Sequence, residues 1–479
     1  MSGIQYYSTN LKSEKVSFWE ALIKGQAPDK GLYLPVSIPK FTKAEIESFS
    51  DKKYFEIANI VTGKFLKDEI PADDLYNIVK DAYNFDVPLE HVYDRNYLMR
   101  LDQGPTCSFK DFAARMMGRL MHYYLKKQKQ NLLILTATSG DTGSAIANAF
   151  YDLDNIEVVI LFPENEVTDR QRKQMTTLHK NIRIIALNGK FDDCQALVKN
   201  AFADPGLNYL KLSSANSINI GRLLPQSVYY FWAFSRLAQK PGDDIIFSVP
   251  SGNFGDLIGG IIAREMGLPV KRFIISTNEN DEVPLYFQNG YYKTIVPSRN
   301  CISSAMNVGH PSNLARIISL YGGQMDETGN VHKSPDFERL RKVMYAVSIS
   351  DLETRNTIKN VYERHKILLE PHGAVGWAGL QHYINENPEE INSSQLTVTL
   401  ETAHPAKFPK EISEILGIDP VLPSSLSNLD NKEERMIRME NNYMDFKEYL
   451  RGLPTSPKGN GTNISKKKND EQGTPNVEL

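Results

Sequence analysis

Between residues 13 and 90 apolar positions recur at helical spacing, as in Glu56-Ile-Ala-Asn-Ile-Val and Asp74-Leu-Tyr-Asn-Ile-Val. Pro71 stands close to the start of the second stretch, where its fixed backbone suits a first helical turn. This pattern predicts a small N-terminal helical unit. After Leu98 the texture changes, and short apolar runs alternate with helical stretches. The strand candidates are 132–136, 158–162, 182–186, 245–249, 273–277 and 396–400, with helices between them, for example over 112–125 and 144–151. Continuous apolar runs of this length suit parallel strands covered on both faces. Such alternation predicts an open α/β sheet with right-handed crossovers. Residues 454–479 contain almost nothing that could join a core, and the pattern predicts a disordered tail.

Composition narrows the classes. The chain has 479 residues, 41% hydrophobic and 24% charged, with net charge −3, which excludes a wholly disordered chain and allows about three domains' worth of core. Balanced charge also lacks the basic stripe that phosphate-backbone binding leaves, so no nucleic-acid partner is expected. Lys466-Lys467-Lys468 reads as part of a solvated tail. Cys107, Cys194 and Cys301 are too few and too scattered for a disulfide framework or a zinc site, so a reducing compartment and no metal are expected. The N-terminus has no basic-then-apolar leader, and Glu14 and Glu20 precede the first arginine, Arg95. No apolar run approaches the ~20 residues that cross a bilayer. The expectation is a cytoplasmic protein without a membrane partner, in which Asn392-Ser-Ser, Asn460-Gly-Thr and Asn463-Ile-Ser are chance matches to a glycosylation pattern.

Two of the apolar runs lead into glycine-rich turns that open helices. In Thr138-Ser-Gly-Asp-Thr-Gly-Ser-Ala145, Gly140 and Gly143 permit a tight turn and close approach of a ligand. Ser139, Thr142 and Ser144 put hydroxyls beside a helix N-terminus, a combination suited to a carboxylate or phosphate. The same hydroxyls also read as ordinary helix caps. In Val249-Pro-Ser-Gly-Asn-Phe-Gly-Asp-Leu257, Gly252 and Gly255 let several backbone N–H groups converge on one phosphate without a lysine. This is neither a Walker loop nor the dinucleotide fingerprint, which disfavours an ATP or dinucleotide module. Both turns lie at carboxyl ends of predicted strands, where open α/β sheets bind ligands. Lys110, in Thr106-Cys-Ser-Phe-Lys-Asp-Phe-Ala-Ala-Arg115, sits at a loop-to-helix junction. In partly apolar surroundings such a lysine has a lowered pKa and acts as a nucleophile or Schiff-base former, although the segment alone also reads as a surface lysine beside Asp111.

Taken in order, Ser108-Phe-Lys-Asp111, Ser139-Gly-Asp-Thr-Gly-Ser-Ala145, Ser251-Gly-Asn-Phe-Gly-Asp256 and Glu370-Pro-His-Gly-Ala374 resemble the threonine synthase family. The likeness is to the branch with an extra N-terminal domain. It extends to Tyr7-Ser-Thr9, Ala27-Pro-Asp-Lys-Gly-Leu-Tyr-Leu-Pro35, Asn216-Ser-Ile-Asn219 and Thr402-Ala-His-Pro-Ala-Lys-Phe408, covering about residues 5 to 450. It implies the tryptophan-synthase-β-like fold, fold type II of the pyridoxal-phosphate enzymes: two α/β lobes of open twisted sheets with flanking helices, the cofactor between them. The implied division is a helical domain over 1–92, a catalytic body over 93–430, a helical segment over 431–453 and the disordered tail.

The resemblance makes Lys110 the lysine that carries pyridoxal 5'-phosphate as a Schiff base, and Gly252, Asn253, Phe254, Gly255 and Asp256 the cradle for its phosphate. Thr402 matches the residue whose hydroxyl meets the pyridine nitrogen; a hydroxyl, unlike a carboxylate, does not enforce a protonated ring. Ser139, Asp141 and Thr142 would face the substrate and its α-carboxylate. Asn216, Ser217, Asn219, Arg222 and Lys407 are candidates for the substrate phosphate, Arg222 by bidentate contacts. Arg222 equally reads as a surface arginine on a capped helix start, and Lys407 as a surface lysine. Glu370 and His372 would organise the turn at Gly373. The implied reaction is a β,γ-replacement on O-phospho-L-homoserine, with Lys110 shuttling protons at Cα and Cβ, phosphate leaving Cγ and water adding at Cβ to give L-threonine. A phospholyase or amino-acid dehydratase using the same cofactor is the alternative. The implied assembly is a monomer or homodimer.

Overall fold

The computed structural model describes residues 3–240, 242–391 and 393–453. The tail 454–479, with its lysine run and the Asn460 and Asn463 sequons, and Asn392 lie outside the described residues.

Two sheets organise the α/β body, each with helices packed on it. The larger has six strands in the order Met344–Ser348, Val270–Thr277, Ile245–Pro250, Leu396–Glu401, Asn96–Arg100, Leu89–Tyr93. All its pairs are parallel except the last, where Leu89 lies opposite Met99 in an antiparallel edge. The smaller has five parallel strands in the order Ile437–Glu440, Ile182–Asn188, Ile156–Pro163, Leu132–Ala137, Leu212–Ser213. Leu132–Ala137, Ile245–Pro250 and Leu396–Glu401 are buried at every position, as central parallel strands require. The expected strands are present, each running slightly longer than its apolar run.

Two regions differ from what the sequence led one to expect. Besides its helices, including Tyr54–Leu66 and Ala72–Ala82, the N-terminal stretch carries an antiparallel pair, Tyr6–Ser8 with Tyr33–Pro35. Strands of three residues are too short to show a period of two. Within 431–453, expected to be helical, Ile437–Glu440 is a strand added in parallel register to Ile182–Asn188, and only Tyr443–Arg451 is helix. Three of the four strand residues are exposed, so it is pairing with a distant strand, not an apolar run, that makes it a strand.

The N-terminal stretch fixes the helix that will matter most, Lys110–Gln128. Tyr54 packs edge-on against Tyr83, Phe112 and Trp232 at centroid distances of 5.3, 5.5 and 5.7 Å. Such pairs add ~0.5–1.5 kcal/mol each beyond the area they bury. Arg115 donates through Nε to the Ala82 carbonyl at 2.7 Å and through Nη2 to the Asp81 carbonyl at 2.7 Å, satisfying the C-terminal carbonyls of Ala72–Ala82. A one-turn slip of Lys110–Gln128 would break both contacts.

Helix Pro371–Glu386 lies on the larger sheet through glycines. At Gly379 an added Cβ would stand 2.9 Å from Ser276 Cβ and 3.2 Å from Val347 Cγ1. Gly379→Ala is therefore expected to lower stability by ~1–3 kcal/mol through overpacking, read as a reduced urea midpoint with unchanged m value.

Candidate active site

Lys110 opens its helix from a loop that is stitched to the end of strand Leu396–Glu401. Ser108 forms an antiparallel bridge with Ala403, Phe109 N–H donates to the Thr402 carbonyl at 2.9 Å, and His404 N–H donates to the Cys107 carbonyl at 3.0 Å. Cys107 takes φ +56°, a left-handed turn. The fully buried Asp111 accepts from Thr106 N–H at 2.8 Å and from Thr106 Oγ1 at 2.7 Å. Lys110 and Thr402 are thus neighbours by backbone hydrogen bonding.

Burial pushes the Lys110 amine below its ordinary value, Lys407 and Arg222 push the same way, and Asp141 and Glu370 oppose them. Its Nζ stands 3.6 Å from Asp141 Oδ2 and 4.7 Å from the centroid of the Phe109 ring. A buried amine with a depressed pKa has a larger neutral, nucleophilic fraction at neutral pH.

Asp141 and Lys407, expected to meet the substrate, instead hold each other. Lys407 is no surface lysine: it is fully buried, its Nζ lies 2.5 Å from Asp141 Oδ1, and it donates to the Thr106 carbonyl at 3.0 Å. Gln171 Nε2 adds a hydrogen bond to Asp141 Oδ1 at 2.9 Å. Burial alone would raise the Asp141 carboxyl, but Lys407, Lys110 and Gln171 outweigh it and hold it well below the usual range. The physical reason is that buried charges are tolerable only when paired.

The turn around Asp141 is partly self-satisfied. Thr138 Oγ1 accepts from Gly140 N–H at 3.0 Å and Gly143 N–H at 2.8 Å, and Gly140 has φ +129°. That leaves the first-turn N–H groups of Asp141 and Thr142, which helix Asp141–Phe150 does not satisfy internally, beside the half-buried hydroxyls of Ser139 and Thr142.

In the second turn Phe254 takes φ +62° and helix Gly255–Glu265 follows, so its first-turn N–H groups face the turn. Asn253 is clamped: Nδ2 donates to Ser217 Oγ at 2.8 Å, Oδ1 accepts from Ser312 N–H at 2.7 Å, and its carbonyl accepts from Asn313 Nδ2 at 2.9 Å. Gly252 packs so closely that a Cβ would meet Met306 Cα at 2.8 Å. Asp256, the last residue of the expected cradle, lies in the first turn of that helix with its carboxyl turned to its neighbour: Oδ1 accepts from Leu257 N–H at 2.8 Å, and burial pushes its pKa up to about 7.

Sequence reasoning missed Ser312, Asn313 and Arg316. Arg316 is fully buried and donates to the carbonyls of Tyr33 at 3.0 Å, Ser217 at 3.2 Å and Ile218 at 2.6 Å, and to Asn313 Oδ1 at 2.5 Å. The i, i+3 spacing of Asn313 and Arg316 was the one available signal, and it reads as an ordinary helix start.

Among the phosphate candidates, Asn219 is already spent. Its Nδ2 donates to Leu22 O at 2.8 Å and Ser214 O at 2.9 Å, and its Oδ1 accepts from Gly221 N–H at 2.9 Å. Arg222 differs. It is buried, Nη1 donates to the Ala215 carbonyl at 2.7 Å, and Nε has no partner. Burial lowers it to about 10 against the opposing charge of the Asp111 carboxyl, so it is still charged at neutral pH. Asn216 Oδ1 is likewise buried without a partner. An unsatisfied buried polar group costs ~1–3 kcal/mol, and a bound anionic ligand offering both donors and acceptors relieves such costs.

A depressed buried lysine, a helix-opening phosphate turn and orphaned polar atoms fit pyridoxal phosphate. Residues 88–402 match the family model described as "Pyridoxal-phosphate dependent enzyme", and the chain is of that class. The flanks are more specific: residues 5–83 match "Threonine synthase N terminus" and 373–450 match "Threonine synthase, C-terminal". The chain is 38% identical to the threonine synthase of Haemophilus influenzae over 93% of its own length and 99% of that protein's. It is 34% identical to that of Schizosaccharomyces pombe over 87% and 90%. A crystal structure of pyridoxal-phosphate-bound threonine synthase from Brucella melitensis superposes with TM-score 0.87 at 34% identity, over 94% of this chain and 99% of that one. The chain belongs to the threonine synthase family. No helix among the described residues is long and apolar enough to cross a membrane.

Since Asp141 is the main group sustaining the Lys110 charge, Asp141→Asn is expected to lower the Lys110 pKa below that of the wild-type apoenzyme. The pH dependence of reductive methylation at Lys110, read by mass spectrometry, checks this. An unchanged profile would mean that Asp141 serves Lys407 alone.

Proposed function

We propose that the chain converts O-phospho-L-homoserine and water to L-threonine and phosphate, with residue roles set by the geometry above. The observation that carries this reading is the largely buried Lys110 amine, its pKa lowered by burial and by the charges of Lys407 and Arg222, stitched beside Thr402. When bound, pyridoxal phosphate supplies the conjugated electron sink for carbanions at the substrate's carbons. Lys110 would hold the cofactor covalently through Nζ, the Gly252–Gly255 turn would bind its phosphate through backbone N–H groups, and Thr402 would stand against its pyridine nitrogen. Asn253, fixed by Ser217, Ser312 and Asn313, keeps the turn in shape.

Ser139, Thr142 and the free N–H groups of their helix bind the substrate α-carboxylate. Arg222, with Asn216 and Ser217 nearby, binds its phosphate and neutralises it as it leaves Cγ. As a free amine, Lys110 would move protons at Cα and Cβ, a task suited to an amine whose pKa burial has lowered. Asp141 and Lys407 position Lys110 and stay out of contact with substrate. We further infer a working division into a unit over 1–92, a catalytic body over 93–430 and a segment over 431–453. A cytoplasmic location is supported by three unpaired, buried cysteines. The proposed assembly is a monomer or homodimer.

Incubation of the cofactor-loaded protein with O-phospho-L-homoserine is expected to yield threonine and phosphate in equal amounts. Dominant 2-oxobutanoate would instead identify a phospholyase or dehydratase. Lys110→Ala is expected to lose the visible absorbance band and to lower kcat by at least ~10²–10⁴-fold. Arg222→Met should raise KM for the phosphorylated substrate on the order of 10–100-fold, the worth of a charge-assisted contact. An unchanged KM would remove Arg222 from the phosphate site.

A further inference from the structure

Thr402 Oγ1 ends a hydrogen-bond chain in which each donor and acceptor is assignable. The chain begins at a group of fixed polarity, for the backbone N–H of Ala305 donates to His372 Nε2 at 3.0 Å. A ring nitrogen that accepts carries no proton, so His372 is neutral with its proton on Nδ1. Nδ1 lies 2.5 Å from Glu370 Oε2 and donates to it. Glu370 also caps helix Pro371–Glu386, accepting from His372 N–H at 2.8 Å and Gly373 N–H at 3.0 Å. Three donors therefore converge on a carboxyl at the positive end of a helix, which selects its ionised form. The remaining contact, Thr402 Oγ1 to Glu370 Oε1 at 3.2 Å, is then donation by the hydroxyl.

Water has little access to redirect these bonds: Glu370, His372 and Thr402 are 0%, 3% and 5% exposed. Surrounding charges leave the assignment intact. Glu401, whose Oε1 accepts from Glu370 N–H at 2.7 Å, is pushed well above the usual carboxyl range by burial, and Asp102 is raised for the same reason. Within that group Glu370 is the carboxyl on which the helix N–H groups and the His372 ring converge. Arg100, 3.5 Å from Glu401, and the lysines Lys110 and Lys407 supply positive charge nearby, while burial lowers His404 to about 4 and keeps it neutral.

We propose that Glu370, oriented by His372, takes the Thr402 hydroxyl as a donor, so that Thr402 offers the cofactor's pyridine nitrogen only lone pairs and holds that nitrogen protonated. This rests on the placement of Thr402 against the nitrogen given under the proposed function. An unprotonated nitrogen would set lone pair against lone pair in a buried site and leave two acceptors unsatisfied. The expectation that a hydroxyl leaves ring protonation open is thereby revised by the carboxylate behind it. Glu370 and His372 are positioning residues, acting on the ring through Thr402.

The test is the ¹⁵N chemical shift of cofactor labelled at the ring nitrogen and loaded into the protein, with the visible band recorded on the same sample. The wild-type shift is expected in the pyridinium range. In Glu370→Gln the side-chain amide donates to Thr402, the hydroxyl turns toward the ring, and the shift moves to the neutral-pyridine range. Thr402→Val should also read neutral, and Thr402→Ser should keep the wild-type value. A neutral wild-type nitrogen overturns the proposal. So does a Glu370→Gln protein that loads less cofactor at an unmoved shift, the mark of a merely structural role. Should Glu370→Gln fail to fold, the wild type and Thr402→Val decide. Absence of any visible band from loaded wild type would overturn the cofactor reading itself, a separate outcome.

Discussion

The Asp141 carboxylate, buried between two ammonium groups, ties the two sheets together. It begins the helix after strand Leu132–Ala137 of the smaller sheet, whereas Lys407 follows strand Leu396–Glu401 of the larger one. Removing a charge from water costs several kcal/mol even after relaxation, and geometry alone recovers it. The pair at 2.5 Å, with Gln171 and the Thr106 carbonyl taking further hydrogen bonds, meets that condition. Lys110 is the third member, 3.6 Å away and less well compensated. The same carboxylate therefore closes the structure across the cleft and sets how readily the reactive amine gives up its proton.

Asp141 is not the only acid near these cations, since Glu370 acts on Lys110 and Asp111 on Arg222, yet neither of those two forms an ion pair with a lysine or arginine of the site. Arg222 and Arg316 are buried with backbone carbonyls as partners and no carboxylate among the described residues, and burial lowers both without discharging them at neutral pH. The chain's net charge of −3 conceals this local imbalance. A substrate carrying a carboxylate and a phosphate, and a cofactor carrying another phosphate, are the counter-charges that such a cleft lacks. Near-neutral overall charge argued only against extended polyanions; it bears little on a small anion met by groups aimed at it.

The legible parts were those whose signal is local. Strand runs, the two glycine turns after them and Lys110 before its helix could be placed because periodicity and turn chemistry act over a few residues. Lys407 was less legible, since lysine is seldom fully buried and nothing near it in the chain announces Asp141, some 266 positions earlier. Asn219 looked free for a ligand because the carbonyl of Leu22, in another part of the fold, takes its amide. Ile437–Glu440 became a strand through pairing alone. Arg222 and Arg316 share one residue type and differ in what surrounds them: four acceptors occupy Arg316, whereas Arg222 keeps an orphaned Nε.

This contrast separates scaffolding from site. A buried group whose donors are all spent is stable without a ligand, and evolution of the fold alone accounts for it. Asn219 and Arg316 are of that kind, and they fix the backbone of the segment 214–221 that supplies Ser217 to Asn253. A buried group with an unspent donor or acceptor raises the free energy of the empty protein, and a ligand that satisfies it lowers that energy. Arg222 Nε and Asn216 Oδ1 are of this second kind. They lie close together in the chain, on the segment that also supplies Ser217 to Asn253. A ligand that satisfied Arg222 Nε and Asn216 Oδ1 would therefore couple its own binding to the stability of the fold.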